Sequence, residues 1–114
     1  MTSKPPFRVG DVVMIVFPYT DLSSSKLRPA VLMTHPDRDG DFIAAAVTSQ
    51  AGHDGSLPLS NADMAVGSLK KDSYIRADKL FTFHTSVIRR NMGQVKPDIV
   101  RNTLSVLCPA LNCC

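Results

Sequence analysis

Two apolar runs separated by a turn-rich segment limit the possible folds of this chain more than any other feature. The runs are residues 28–34 and 42–48, and the segment between them is residues 35–41. We expect them to form an antiparallel hairpin centred on Arg38, in which the numbers of opposed residues add to 76. Arg28 then faces Thr48, and directly opposed side chains have Cβ atoms about 5 Å apart. The register therefore predicts a guanidinium and a hydroxyl side by side at the end of the sheet, in a position suited to holding a phosphate.

The rest of the chain is also rich in strand patterns. Residues 10–17 are apolar at nearly every position, which is typical of a strand covered on both faces, and the polar loop 18–27 follows. Shorter strands are predicted at residues 56–59, 73–80 and 92–95. Residues 61–71 mix Gly, Ser and Lys and are predicted to form a loop. Residues 81–90 fit either a continued strand or, from residue 85 onward, one helical turn.

The C-terminal segment predicts a helix that begins at Pro97, because proline suits the first helical position and Asp98 complements the helix dipole. Four apolar residues recur at helical spacing and are predicted to form the buried face: Val100, Leu104, Leu107 and Leu111. Pro109 is expected to end the regular helix near Leu107. Several short strands followed by one helix favour a mainly β fold, a small barrel or half-barrel that the helix covers on one side.

Composition sets broad limits. A chain of 114 residues is expected to form one domain, with residues 1–8 and 109–114 as flexible ends. No segment approaches the ~20 apolar residues of a membrane helix, and the N-terminus lacks the apolar stretch of a signal peptide, so we expect a cytoplasmic protein. The net charge of +3 is compatible with an anionic partner. All acidic residues are Asp, so any catalytic carboxylate must be an aspartate.

The cysteine and histidine patterns do not predict a metal or cofactor site. The three cysteines lie within the last seven residues, and no histidine is near them in the sequence. Cys108 is expected to be buried near the helix end, and the alternative is a redox-sensitive or dimer-linking tail. The scattered histidines are His35, His53 and His84. We predict a catalytic role for none of them.

Two polar motifs lie on or beside predicted strands, and each allows two interpretations. Thr48, Ser49 and Gln50 are either ordinary strand-end residues or a set of hydrogen-bonding groups for a ligand. Arg76 and Asp78 share one face of a strand because successive side chains alternate between faces. They form either a surface salt bridge of little energetic value or an acid–base pair facing a substrate. In both cases the guanidinium would lower the pKa of the carboxyl group and keep it ionised.

Five short motifs keep one order along the chain and together resemble a known family. They are Gly10-Asp11-Val12-Val13, Phe17-Pro18, Arg28-Pro29-Ala30-Val31-Leu32, Thr48-Ser49-Gln50 and Ile75-Arg76-Ala77-Asp78. The resemblance covers roughly residues 8–107 and is to the MazF/PemK family of type II toxin–antitoxin toxins, which are sequence-specific endoribonucleases. The resemblance implies a small, strongly twisted SH3-like β-barrel of the CcdB/PemK kind, with a C-terminal helix, working as a homodimer. It also implies metal-independent cleavage of single-stranded RNA, such as messenger RNA.

The resemblance assigns catalytic roles to four residues. Arg28 and Thr48 occupy the paired catalytic positions, and Arg76 and Asp78 match the acid and base of the PemK branch. In the implied reaction a ribose 2′-OH attacks its own 3′-phosphate and leaves a cyclic phosphate and a free 5′-OH. Arg28 stabilises the phosphoryl charge, Thr48 binds the phosphate or the attacking oxygen, Asp78 is the base, and Arg76 is its partner or the leaving-group acid. Because the nucleophile belongs to the substrate, no cofactor is implied.

One position departs from the PemK pattern. PemK has a histidine four residues after the proline of the first loop, and this chain has Leu22 there. The transition-state role of that histidine is therefore vacant or is filled by Thr20, Lys26 or Arg28.

The loops are implied to bind the RNA and to select its bases. Tyr19 is expected to stack on a splayed base, while Ser49 and Gln50 read the edge of the base. Thr20 and Lys26 are expected to add further contacts to the RNA.

The family also implies a partner, a cognate antitoxin whose acidic, partly disordered tail covers the RNA groove. Two alternatives share the fold. One is a CcdB-like protein that binds DNA gyrase through a tryptophan-containing C-terminus, although this chain has no Trp. The other is an inactive relative, which the departure at Leu22 leaves open.

Overall fold

The computed structural model describes residues 7–18 and 25–112. Within these residues the chain forms seven strands and one α-helix. The strands are β1 Asp11–Pro18, β2 Ser25–Leu32, β3 Asp41–Thr48, β4 Ser56–Leu59, β5 Met64–Gly67, β6 Ser73–His84 and β7 Ile88–Val95. The helix is α1 Pro97–Ala110, and short 3-10 turns lie at Asn61–Asp63 and Thr85–Val87. The strands pair antiparallel in the order β4-β6-β3-β2-β1-β7-β5 and form the predicted curled half-barrel.

The central hairpin has the predicted register. Ala30 pairs with Ala46 and Leu32 pairs with Ala44, so the numbers of opposed residues add to 76. The turn between β2 and β3 is closed by Asp37, whose Oδ1 accepts hydrogen bonds from the backbone N–H groups of Asp39 and Asp41, each at 2.9 Å. This local pattern of Asp side-chain bonds, typical of turns, fixes the hairpin.

Both faces of the β1–β2–β3 layer are buried, as the continuous apolar pattern of β1 predicts. Val12 points into one core, and Val13 and Ile15 point into the other. The first core comprises Val12, Val31, Met33, Ala45, Val47, Leu59, Met64, Leu69, Ile75, Val95 and Ile99. The second comprises Val13, Ile15, Ala30, Leu32, Phe42 and Ala44. Because α1 contributes Ile99 to the first core, the helix covers that face of the sheet.

The second half of the sheet differs from the sequence-based prediction. Residues 61–71 are wrongly predicted as loop, because they contain β5, which pairs with β7. Residues 81–90, which the sequence left open between a strand and a helical turn, form the end of β6, the 3-10 turn Thr85–Val87 and the start of β7. The four residues of β5 lie among Gly, Ser and Lys, and a strand so short is formed by its pairing with β7 rather than by its own pattern.

The helix begins at Pro97 as predicted, but its buried face is different. Ile99 and Thr103 are buried, whereas Leu104 is 40% exposed and Leu111 is 62% exposed. The Thr103 hydroxyl donates to the Ile99 carbonyl at 2.8 Å, and this bond satisfies its polar group inside the core. The prediction of a Val100, Leu104, Leu107 and Leu111 core face is therefore wrong, although Val100 packs against the first core.

The end of the helix also departs from prediction. Pro109 lies inside α1, which continues to Ala110 instead of ending near Leu107. The backbone N–H of Leu111 then donates to Leu107 and Cys108 carbonyls, so the last turn is closed beyond the proline. Cys108 is half-exposed and disulfide-bonded, not a buried thiol. No helix among residues 7–18 and 25–112 is long and apolar enough to cross a membrane.

Candidate functional site

Arg28 and Thr48 lie where two surface cavities meet. The larger cavity has a volume of about 450 Å³ and the smaller about 390 Å³, and Arg28, Val47 and Thr48 line both. Arg28 is on β2, two residues before Ala30, and Thr48 is two residues after its partner Ala46 on β3. The hairpin register thus brings the two residues to the wall that both cavities share, as the sequence predicts.

The larger cavity has a basic rim and an apolar floor. Its cationic lining residues are Lys26, Arg28, Lys70, Lys71 and Arg90. Its apolar lining residues include Met14, Leu69 and Met92. Among the described residues that line it there is no carboxylate, so the cavity concentrates positive potential. Such a surface suits a ligand that carries phosphate groups and an apolar ring.

The smaller cavity combines cations with aromatic rings. Its charged lining residues are Arg28, Arg76 and Lys79. Phe17 and Phe81 line it too, and their rings meet edge to face with centroids 5.4 Å apart. Gln50 and His53 complete its polar lining. Cationic groups beside aromatic faces are a common arrangement for single-stranded nucleic acid.

Thr48 keeps a hydroxyl hydrogen for a ligand. Its Oγ1 accepts a hydrogen bond from the backbone N–H of Gln50 at 3.1 Å. A threonine hydroxyl has two acceptor positions and one donor, and this bond uses one acceptor position. The same bond restrains the side chain at the end of β3.

Arg76 and Asp78 form an ion pair at the edge of the smaller cavity. Arg76 Nη2 lies 2.8 Å from Asp78 Oδ2, and Arg76 Nε donates to Asp78 Oδ1 at 3.3 Å. The hydrogen bond from Arg76 lowers the pKa of Asp78 below its ordinary value of 3.8, although burial acts in the opposite direction. Asp78 is therefore an ionised carboxylate at neutral pH, as predicted. Its side chain is 39% exposed, so solvent screens the pair.

A bulge in β6 sets the position of this ion pair. Ala45 of β3 pairs with Leu80, but the next residue, Ala46, pairs with Arg76. Residues 77–79 therefore form a bulge opposite two consecutive residues of β3. Bulges re-aim side chains and are frequent beside active sites. Here the bulge turns Asp78 back toward Arg76 while Arg76 remains in the cavity wall.

Glycine allows the β3–β4 loop to approach the bulge. Gly55 has φ +74°, and a Cβ at this position would lie 3.3 Å from the Asp78 Cβ. The backbone N–H of Ala77 donates to the Gly55 carbonyl at 3.0 Å. The loop that carries His53 is thereby attached to the strand that carries the ion pair.

The predicted binding residues divide between the two cavities. Lys26 and Ser49 line the larger one, and Gln50 lines the smaller one. Tyr19, Thr20 and Leu22 lie outside the described residues. Asp78 lines neither cavity within the described part of the chain and reaches the site through Arg76.

Several lining residues have no counterpart in the sequence-based prediction. They are Lys70, Lys71, Arg90, His53 and Lys79. The adjacent pair Lys70-Lys71 was a usable signal, because two lysines in a polar loop suggest an anion-binding surface. His53 and Lys79 had no such signal, since they meet Arg28 only through tertiary structure. Among the described residues, no group of three or more His, Cys, Asp or Glu side chains is arranged to hold a metal ion.

Comparisons with solved structures identify the fold. The chain is similar to MazF in a MazE–MazF complex from Deinococcus radiodurans, with 18% identity, a TM-score of 0.77, and coverage of 96% of this chain and 98% of that one. It is similar to an endoribonuclease in complex with its cognate antitoxin from a mycobacterial species, at 17% identity, TM-score 0.70, and coverage of 92% and 94%. It is also similar to the Mycobacterium tuberculosis toxin MazF-mt6, at 17% identity, TM-score 0.66, and coverage of 90% and 96%.

Sequence comparison identifies the family. No curated protein sequence matches the chain. The family model of PemK-like, MazF-like toxins matches residues 8–111, which is nearly the whole chain. The match agrees with the curled sheet, the C-terminal helix and the fold of the structural neighbours. The chain therefore belongs to the PemK-like, MazF-like toxins of type II toxin–antitoxin systems.

Proposed function

We propose that this chain is a sequence-specific, metal-independent endoribonuclease that cleaves single-stranded RNA, such as messenger RNA, as the toxin of a type II pair. One observation carries the proposal: Arg28 and Thr48 lie together at the wall shared by two cation-lined cavities. An RNA backbone that runs from one cavity to the other would pass Arg28 and Thr48 where the two cavities meet. Family membership supports the same reading, and cleavage of messenger RNA would place its action in the cytoplasm.

In the proposed reaction the nucleophile is the ribose 2′-OH of the substrate. It attacks the adjacent phosphorus, and the bond from phosphorus to the 5′-oxygen breaks, which leaves a 2′,3′-cyclic phosphate and a 5′-OH. Arg28 binds the non-bridging oxygens and stabilises the charge that grows on them. Thr48 donates its hydroxyl hydrogen to the same phosphate, since its acceptor bond to the Gln50 N–H leaves the donor available.

We assign the base to Asp78 and a supporting role to Arg76. The lowered pKa of Asp78 keeps the carboxylate ionised and able to accept the 2′-OH proton. Its bidentate bond with Arg76 holds it beside the smaller cavity. Arg76 itself lines that cavity and adds a second positive charge near the phosphate.

The cavities supply the binding surface for nucleotides on either side of the cleaved bond. Lys26 and Ser49 would contact the RNA in the larger cavity, and Gln50 would read a base edge in the smaller one. We retain Tyr19 and Thr20 as proposed base contacts on the β1–β2 loop. DNA lacks the 2′-OH, so it would bind through its phosphates without being cut.

We further propose that the chain acts as a homodimer and is neutralised by a cognate antitoxin. Two structural neighbours are complexes of a toxin with its antitoxin. The cation-lined cavities of this chain fit an acidic, partly disordered segment, which would compete with RNA for Arg28.

The proposal is tested by incubating a long single-stranded RNA with the purified protein in EDTA. Wild type should give discrete fragments with 5′-OH ends. Arg28→Ala and Thr48→Ala should each lose at least about 10²-fold in rate, because each removes a group that stabilises the transition state. Intact RNA with folded wild-type protein would overturn the proposal.

A further inference from the structure

We propose that His53 is the general acid of the RNA-cleavage reaction and protonates the 5′-oxygen that leaves the phosphate, an inference that rests on the function proposed above. His53 lines the smaller cavity together with Arg28, Thr48 and Arg76. The sequence gives no reason to select it, because it lies in a glycine-flanked loop without a recognised motif. Its placement in the folded chain gives that reason.

The backbone around His53 is fixed at two points. The Ser56 hydroxyl donates to the His53 carbonyl at 2.7 Å. The Ala77 N–H donates to the Gly55 carbonyl at 3.0 Å, which attaches the loop to the β6 bulge. The close approach of Gly55 to Asp78 holds the loop against the same bulge. The imidazole is therefore presented from an anchored loop, as a proton donor at a site requires.

The chemistry of the cavity favours imidazole as the acid. A guanidinium does not release its proton in proteins, and Arg76 already donates two hydrogen bonds to Asp78. A lysine ammonium in a model peptide ionises at about pH 10.4, far from neutrality. Imidazole is the side chain that exchanges protons near neutral pH. Among the described residues that line this cavity, His53 is the one with an imidazole.

The proton transfers balance as follows. The 2′-oxygen forms its bond to phosphorus and gives its proton to Asp78, while the bond from phosphorus to the 5′-oxygen breaks. The protonated His53 imidazole gives its N–H proton to that departing oxygen, which leaves as a 5′-OH. Solvent then returns a proton to His53 and takes one from Asp78.

Three cationic residues line the same cavity as His53. They are Arg28 on β2 and Arg76 and Lys79 on β6, and Asp78 is joined to Arg76 at the edge of the cavity.

The decisive test compares two RNA substrates that differ in the leaving atom. One has the natural 5′-oxygen at the cleaved bond, and the other has sulfur there, which departs as a thiolate without needing a proton. On the natural substrate His53→Gln should lower kcat by about 10²- to 10⁴-fold, as the loss of a general acid does. On the sulfur substrate the deficit should shrink to less than about tenfold.

His35→Gln is the matched control, because His35 lies outside both cavities and accepts a hydrogen bond from the Val9 N–H at 3.2 Å. It should cleave both substrates like wild type. Equal deficits of a folded His53→Gln variant on the two substrates, or normal cleavage of the natural one, would overturn the role of His53 and leave the proposed nuclease intact. Failure of wild type to cleave either substrate would overturn both.

Discussion

At the scale of single residues, Asp78 is the most constrained carboxylate near the proposed site. Arg76 lowers its pKa through two hydrogen bonds, and a Cβ added at Gly55 would lie 3.3 Å from the Asp78 Cβ. Each contact has a separate consequence. The ion pair sets the protonation state of the carboxylate, and the glycine sets the distance between the loop and the strand.

Replacing Asp78 should affect activity far more than stability. The pair is 39% exposed at Asp78, so Asp78→Asn should change the free energy of unfolding by less than about 1 kcal/mol at neutral pH. Because the folded pKa lies below the ordinary value of 3.8, the contribution is complete above that value and is lost as pH falls through the folded pKa. Urea unfolding of both proteins at pH 7 and in acid measures this. A difference that grows in acid would contradict the account.

A pair of glycine substitutions separates backbone strain from contact with Asp78. Gly52 and Gly55 both have positive φ, +95° and +74°, but a Cβ at Gly52 meets nothing within 4 Å. Gly52→Ala should cost about 1 kcal/mol of stability from backbone strain alone. Gly55→Ala should cost more and should also lower the cleavage rate, because its Cβ presses on Asp78. Equal stability and equal rates for the two variants would show that the contact is unimportant.

At the scale of elements, the sequence is informative where patterns are local. The β2–β3 register follows from two apolar runs around one turn, and Pro97 marks the helix start, so both predictions are confirmed. The bulge in β6 was not predictable, because nothing in residues 73–80 shows that three residues are skipped in the pairing with β3. The position of His53 beside Arg28 depends on that bulge and was missed for the same reason.

The helix shows how a periodic pattern misleads. Leucines recur along one face of α1, but the sheet accepts the neighbouring face that carries Ile99 and Thr103. Ile99→Ala should therefore cost about 2–4 kcal/mol, and Leu104→Ala, which truncates a side chain 40% exposed, should cost less than about 1 kcal/mol. Denaturant unfolding of the two variants measures this directly. A larger loss of stability for Leu104→Ala than for Ile99→Ala would mean that the buried face is the one that the sequence pattern predicts.

At the scale of the whole molecule, positive charge is more concentrated at the two cavities than the net charge of +3 suggests. Described residues from four regions (β2, the β5–β6 loop, β6 and β7) bring cations to the two cavities, and no carboxylate lines either within the described chain. A groove of this kind attracts a polyanion over a distance and orients it along the shared wall.

The salt dependence of RNA binding tests this arrangement. Lys70→Ala and Lys71→Ala should each weaken binding of single-stranded RNA and reduce the slope of log K against log salt by about 0.7, one phosphate contact apiece. Lys96→Ala is the control, since this exposed lysine lies outside both cavities and should leave the slope unchanged. An equal change in all three variants would mean that the cavities are not the binding surface.

The central claim is that the substrate supplies its own nucleophile at the Arg28–Thr48 wall. The most direct measurement uses an RNA in which the nucleotide before the cleaved bond carries a single 2′-deoxy substitution, compared with the unmodified RNA. Cleavage at that bond should stop and binding should be retained, while the unmodified RNA should yield a 2′,3′-cyclic phosphate. Continued cleavage of the substituted bond would contradict it, because water or a protein group would then be the nucleophile.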